Sequence, residues 1–191
     1  MAKYFIGLDL GQAQDYTAIT VIEQKKPAFH VRHIERPRLG TPYPVIVERV
    51  KALMETPQLK RKAALVVDKT GVGAPVVDLF RKVGLSPIAI TITGGNTVAR
   101  ERGGYRVPKR DLVTTLQVLF QAGNLKVASG LELAPVLVEE LLNFKVKINV
   151  KTGHDSYEAW REGTHDDLVL SVAMACWYAK KGQVRVLIAR A

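Results

Sequence analysis

The sequence predicts an α/β fold, a mixed β-sheet flanked by α-helices, and three observations predict it. Three strand-like runs come first and close together. Short, wholly apolar strands then alternate with amphipathic helices. The last long segment is apolar almost all round, as a helix buried against a sheet must be.

Lys3–Leu10 (KYFIGLDL) is an aromatic and β-branched run that stops at Gly11, and Thr17–Glu23 (TAITVIE) resumes the pattern after a polar turn. Phe29–Glu35 (FHVRHIE) alternates more clearly, with Arg32 and Glu35 free to point outward. These runs predict three antiparallel strands, the first buried on both faces and the third half exposed. Pro42 and Pro44 open a helix over about Val45–Met54, where Val47, Val50, Leu53 and Met54 recur at helical spacing, and Thr56-Pro57 ends it. Ala63–Val67 (AALVV) is a short apolar strand that terminates in Asp68; a Gly71/Gly73 turn and a helix from about Pro75 to Val83 complete a β-α unit. Ile88–Ile92 supplies another buried strand, and Thr93–Arg106, rich in Gly and Arg, reads as a mobile loop. Lys109–Ala122 is an amphipathic helix with Leu112, Leu116, Leu119 and Phe120 on one side and Gly123-Asn124 closing it. Leu131–Asn143 is a further helix. Phe144–Val150 (FKVKINV) alternates and, with the turn Lys151–Asp155, predicts a strand or hairpin; Asp166–Lys180 is the buried helix. No repeat, low-complexity tract or linker divides the chain, so residues 1–191 are expected to form a single domain.

Composition removes several classes of function. With 47% hydrophobic and 24% charged residues among 191, the chain is neither a disordered tail nor a fibrous repeat. No apolar run approaches the roughly 20 residues that cross a bilayer, and Met1-Ala2-Lys3-Tyr4 leads into a strand without a signal-peptide layout, so a soluble, unsecreted protein with no membrane partner is expected. The single cysteine, Cys176, lies in an apolar stretch, which rules out an internal disulfide or a Cys-based zinc cluster and predicts a buried, inert thiol. The 28 Lys and Arg against 18 Asp and Glu, a net charge of +10, will attract a polyanion.

Against that basic background stand a few acids in apolar company. Asp9 follows the buried strand Tyr4–Leu8, Asp68 ends the Ala63–Val67 strand, and Asp166-Asp167 open the buried helix. Each has an ordinary explanation: Asp9 would serve the turn at Gly11 and Gln12, Asp68 would begin an Asx-turn, and Thr164-His165-Asp166-Asp167 fits a capping box. Their coincidence points elsewhere. Desolvating an ionised carboxylate costs several kcal/mol, roughly, unless a cation meets it, and an oxygen-rich cluster suits hard cations such as Mg²⁺ or Mn²⁺. Two such ions about 4 Å apart can activate water and stabilise the leaving oxygen of a phosphodiester.

The segments Gly7-Leu8-Asp9-Leu10-Gly11 with Asp15-Tyr16-Thr17-Ala18, Val66-Val67-Asp68-Lys69-Thr70-Gly71-Val72-Gly73, Gly104-Tyr105-Arg106-Val107-Pro108-Lys109 and His165-Asp166-Asp167-Leu168-Val169 occur in that order over nearly the whole chain. Together they resemble the nuclease domain of viral (bacteriophage) terminase large subunits, the DNA-packaging motors, and that resemblance implies an RNase H-like fold. It further implies a two-metal endonuclease that cuts double-stranded viral DNA in the host cytoplasm, with a terminase ATPase domain, a small terminase subunit and a portal protein as partners. Carried over by position, Asp9, Asp68, Asp167 and Asp166 would be catalytic metal ligands, with Asp167 the principal third ligand and Asp166 an auxiliary. His165 would stand beside the ligands or near the scissile phosphate, or be an exposed first-turn residue; Asp15 matches the pattern but suits a structural role in its turn. The chain lacks a Gly-x-x-x-x-Gly-Lys-Ser/Thr phosphate loop, so it reads as the nuclease domain alone, without ATP hydrolysis.

The positive charge is clustered. Arg100, Arg102, Arg106, Lys109 and Arg110 crowd the glycine-containing segment and the next helix start, and are the candidate DNA-binding residues, Lys109 foremost. Lys145, Lys147 and Lys151 form a second group that suits a solvated face as well as a phosphate track. Three other readings compete: another RNase H-like nuclease such as a Holliday-junction resolvase, a non-catalytic DNA-binding module, and an actin-like kinase or ATPase suggested by Asp9, Gly11 and Thr17. The module leaves the apolar-flanked acids unexplained, and the kinase needs two lobes and a second phosphate loop.

Overall fold

A computed structural model describes residues 3–11, 15–71, 73–150 and 166–188. The elements run β1 (Tyr4–Asp9), β2 (Ala18–Lys25), β3 (Ala28–Glu35), α1 (Tyr43–Met54), β4 (Ala63–Asp68), α2 (Gly73–Lys82), β5 (Ile88–Thr93), β6 (Ala99–Glu101), β7 (Gly104–Pro108), α3 (Lys109–Gln121), β8 (Leu125–Val127), α4 (Ala134–Val150) and α5 (Asp167–Ile188). Among the described residues the strands form one eight-stranded mixed sheet in the order β6-β7-β5-β4-β1-β2-β3-β8. β1, β2 and β3 pair antiparallel, whereas β4 lies parallel to β1, β5 to β4 and β7 to β5.

Each face of the sheet carries its own core, as the alternation of strand side chains requires. Ile6, Leu8, Leu65 and Val67 point to one face and are covered by Ile46, Val47 and Val50 of α1 and Val76 and Phe80 of α2. Phe5 and Val66 point to the other, where they meet Leu112 and Leu116 of α3, Leu137 and Leu141 of α4, and the nearly all-apolar α5. Cys176 is fully buried in this second core, and burial pushes its thiol up to about 12. Among the described residues no helix is long and apolar enough to cross a membrane.

α5 lies flat on β1 because Gly7 leaves it room. A Cβ there would stand 1.9 Å from the Ser171 carbonyl oxygen, and the Ser171 hydroxyl bonds to Thr20 Oγ1 of β2 at 3.1 Å. With Ser171 over Gly7 and Tyr178 against Phe5, the helix runs opposite in direction to β1. Four helix residues back from Ser171, to Asp167, cover about 6 Å, and two strand residues on from Gly7 cover roughly 6.6 Å. The start of α5 therefore meets the end of β1.

Two expectations are corrected. Thr93–Arg106 is not a loop throughout: β6 and β7 form an edge hairpin, and Tyr105 is buried. The glycine that reads as loop punctuation is a strand residue pressed on its neighbour, since a Cβ on Gly104 would lie 1.9 Å from the Ala89 carbonyl oxygen. Residues 144–150 are the end of α4, not a strand. No turn residue interrupts the chain after Asn143, and positions 137, 141, 144 and 148 are apolar at helical spacing, so the period-2 alternation yields to continuation of a helix already formed. The short edge strand β8, parallel to β3, has no counterpart among the expected elements.

Candidate active site

β1 and β4 are neighbouring parallel strands with Leu8 opposite Val67, so the next step in register puts Asp9 beside Asp68 at their C-terminal ends. Both follow the parity of Phe5 and Val66 and hence lie on the α5 face, where Asp166 and Asp167 begin the helix. Four carboxylates from three separate elements thus gather at one end of the sheet. Asp68 and Asp167 are buried, and Asp9 and Asp166 are half-buried. The Asp68 carboxylate is oriented by the backbone N–H of Thr70, which donates to its Oδ1 at 2.7 Å.

The electrostatic consequence falls on Asp9. Burial first, and then the carboxylates of Asp68, Asp166 and Asp167, push its carboxyl well above the usual range, against the opposing pull of the Lys109 ammonium. Lys109, the first residue of α3, reaches Asp166 Oδ2 at 3.5 Å with its side chain largely buried. Among the described residues no three His, Cys, Asp or Glu side chains form a ready-made metal cage. The donor set itself, all carboxylate oxygen and mutually repelling, has the chemistry of a hard divalent cation site.

Two residues of this neighbourhood are absent from the sequence-derived candidates. Arg36, which follows β3, donates from Nε to Asp167 Oδ2 at 2.9 Å and from Nη2 to Glu140 Oε1 of α4, and lies over the Tyr16 ring at 5.0 Å. Glu140 also accepts the backbone N–H of Val169 at 3.2 Å. Its carboxyl is raised to about 7, by burial first and then by Asp167, with Arg36 and the Val169 N–H working against the shift. Glu140 carried a legible signal: it lies three residues after Leu137, on the buried side of its helix. Arg36 carried none, because Asp167 and Glu140 lie 131 and 104 residues away in sequence.

The basic candidates separate. Lys109 enters the acidic cluster, and Arg110 beside it bonds Asn96 Oδ1 at 2.8 Å. Arg100 is exposed on β6 and Arg102 is exposed at the hairpin tip, toward the N-terminal end of β7 and so away from the acids. Arg106 points from β7 opposite to Tyr105 and pairs with Glu101 at 3.8 Å, and Glu101 also holds Lys69 at 3.1 Å. Asp15 is exposed in the β1–β2 turn. Thr164, His165 and Lys151 lie outside the described residues, as do the side chains of Lys145 and Lys147.

A family model described as the terminase RNaseH-like domain matches residues 6–178, from β1 through most of α5. The chain belongs to this family. Relatives of this terminase domain include the terminase large subunits of Thermus phage G20c and Thermus virus P23-45, each 27% identical over 172 residues, covering 90% of this chain and 31% of the relative. The chain thus spans about a third of the length of the curated relatives it matches. Among solved structures, the large terminase nuclease of phage G20c with bound magnesium aligns with a TM-score of 0.62 at 23% identity, over 91% of this chain and 79% of that one. The manganese-soaked, inhibitor-bound human cytomegalovirus terminase nuclease domain aligns with a TM-score of 0.59 at 14% identity, over 93% and 83%. The terminase chain therefore has the RNase H-like terminase nuclease fold.

Proposed function

We propose that this chain is a metal-dependent endonuclease that hydrolyses phosphodiester bonds of double-stranded viral DNA during genome packaging, with little sequence specificity. One observation carries the reading: carboxylates from β1, β4 and α5 meet on one face, crowded enough that Asp9 is held well above the usual carboxylate range. Such a group calls for a cation. The magnesium-bound and manganese-soaked relatives supply the kind of cation that the all-oxygen donor set suits.

Asp9, Asp68 and Asp167 would hold the ions, with Asp166 as an auxiliary ligand. Two Mg²⁺ or Mn²⁺ ions would supply an activated water and stabilise the departing 3′-oxygen of the phosphodiester. The Thr70 N–H keeps one Asp68 oxygen fixed, which favours a defined direction for the other. Lys109 offsets part of the acidic charge, and its ammonium would also meet a phosphate oxygen. Arg110 and Arg100 extend positive charge from there along the sheet edge, Arg102 lies at the hairpin tip and Arg106 turns to the opposite face of β7, and His165 would stand beside the metal ligands or near the scissile phosphate.

The whole of residues 1–191 is read as one nuclease domain. It would work in the host cytoplasm with a terminase ATPase domain, a small terminase subunit and a portal protein. The test is incubation of supercoiled plasmid with the protein and Mn²⁺ or Mg²⁺. Metal-dependent nicking and linearisation is expected, and Asp9→Ala and Asp68→Ala should lose at least about a hundredfold in rate, the scale of removing a group that stabilises transition-state charge. Equal cleavage by parent and variants, or none by the parent, would reject the reading.

A further inference from the structure

Arg36 is held from three sides. Its Nε bonds Asp167 Oδ2 at 2.9 Å, its Nη2 bonds Glu140 Oε1, and its guanidinium lies 5.0 Å from the Tyr16 ring centroid. The side chain is only 14% exposed, so these contacts are shielded from solvent screening. Glu140 is fixed in turn by the Val169 N–H in the first turn of α5, the helix that carries Asp167. The chain thus closes a loop of contacts from α5 through α4 and Arg36 back to α5. A planar guanidinium spans two carboxylates at a set angle, which a lysine ammonium on its flexible stem does not.

We infer that Arg36 is a positioning residue that fixes the Asp167 carboxylate for divalent-metal binding, with Glu140 and Tyr16 as its anchors. The inference rests on the metal-site reading above and adds a residue that neither the sequence motifs nor the acidic cluster includes. Outer groups that orient a metal-ligating side chain typically contribute 10–100-fold to metal affinity. Arg36 is suited to that task because it grips one Asp167 oxygen while being itself immobilised, so its loss removes a fixed contact from that carboxylate.

The test measures Mn²⁺ binding to the 191-residue chain by electron paramagnetic resonance of free Mn²⁺, without DNA, alongside near-ultraviolet circular dichroism as a check on folding. Arg36→Ala should weaken Mn²⁺ binding about tenfold. Arg36→Lys should recover only part of this, and Glu140→Gln, which leaves Arg36 in place but loosens its anchor, should fall between parent and Arg36→Ala. Duplex DNA affinity in EDTA should not change, since Arg36 is assigned no phosphate contact. If the parent binds Mn²⁺ and the folded variants bind it equally well or more tightly, the positioning role is overturned while the metal site stands. If the parent itself binds no Mn²⁺, the metal-site reading falls and this inference with it. Should Arg36→Ala fail to fold, Arg36→Lys decides: affinity equal to the parent's overturns the role.

Discussion

Gly7 lies directly against Ser171, with no space for a side chain: a Cβ at residue 7 would stand 1.9 Å from the Ser171 carbonyl oxygen and 3.2 Å from Thr20 Oγ1. The obstructing atom belongs to the backbone of α5 and cannot swing aside. Gly7→Ala should therefore displace the helix and cost about 3 kcal/mol, the upper part of the usual range for overpacking. Urea denaturation measures it. Because the displaced helix begins with Asp167, the folded fraction of Gly7→Ala should also bind Mn²⁺ more weakly; full stability and full affinity would show that α5 is not seated through Gly7.

The crowded carboxylates make a second prediction, about pH and metal together. The folded Asp9 carboxyl is raised above its unfolded value, so its protonated form favours folding. That contribution is present below the unfolded value of about 3.9 and is lost as pH rises through the folded one. Well above it, charged Asp9 opposes the fold. In EDTA at pH 8, Asp9→Asn should melt higher than the parent in scanning calorimetry. Excess Mn²⁺ should raise the parent's Tm and leave that of Asp9→Asn nearly unchanged. A lower Tm for Asp9→Asn in EDTA would mean that repulsion does not govern this site.

How much of the fold and site is legible in the sequence follows from what each feature depends on. Asp9, Asp68 and Asp167 are visible because each adjoins an apolar segment whose burial is a local property of the sequence. The direction of α5 and the register of β1 on β4, which bring those acids together, are tertiary facts. Arg36 is hidden in a polar loop, and its role exists only through partners more than 100 residues away. The β6–β7 hairpin is masked by Gly104, which signals a turn locally but here lets β7 press against β5. α4 reads too short because seven alternating residues fit a strand as well as a helix, and the structure continues the helix already under way.

A third prediction concerns acid stability, far from the site. Glu23 on β2 is buried, and burial works to raise its carboxyl, but hydrogen bonds from Lys3, Arg32 and Lys25 outweigh it and lower the value to about 2. A lowered carboxyl stabilises the fold above its unfolded value of about 4.3 and loses that contribution as pH falls toward 2. Glu23→Gln should reduce stability at pH 7 and flatten the parent's loss between about pH 4.3 and 2, followed by urea midpoints across that range. An unchanged acid profile would show that the three cations contribute nothing there.

The exposed arginines of the hairpin give a fourth. Reversing Arg100, Arg102 and Arg106 together to Glu should weaken duplex binding equally for unrelated sequences. The dependence of log affinity on log salt should flatten by about 0.9 for each phosphate that is no longer neutralised. Fluorescence anisotropy over a salt series in EDTA measures both quantities. Mn²⁺ affinity should be retained, since Arg102 lies at the hairpin end away from the acids and Arg106 turns to the opposite face. An unaltered salt slope would remove the hairpin from the DNA path.

Anomalous diffraction from crystals soaked in Mn²⁺ decides whether the acids of β1, β4 and α5 form one divalent-metal site. The predicted result is manganese density bound by Asp9 and Asp68, with Asp167 completing the oxygen ligands and Arg36 still on the far oxygen of Asp167. Ordered manganese that avoids Asp9, or an acidic cluster that stays free of it at saturating concentration, would contradict the account.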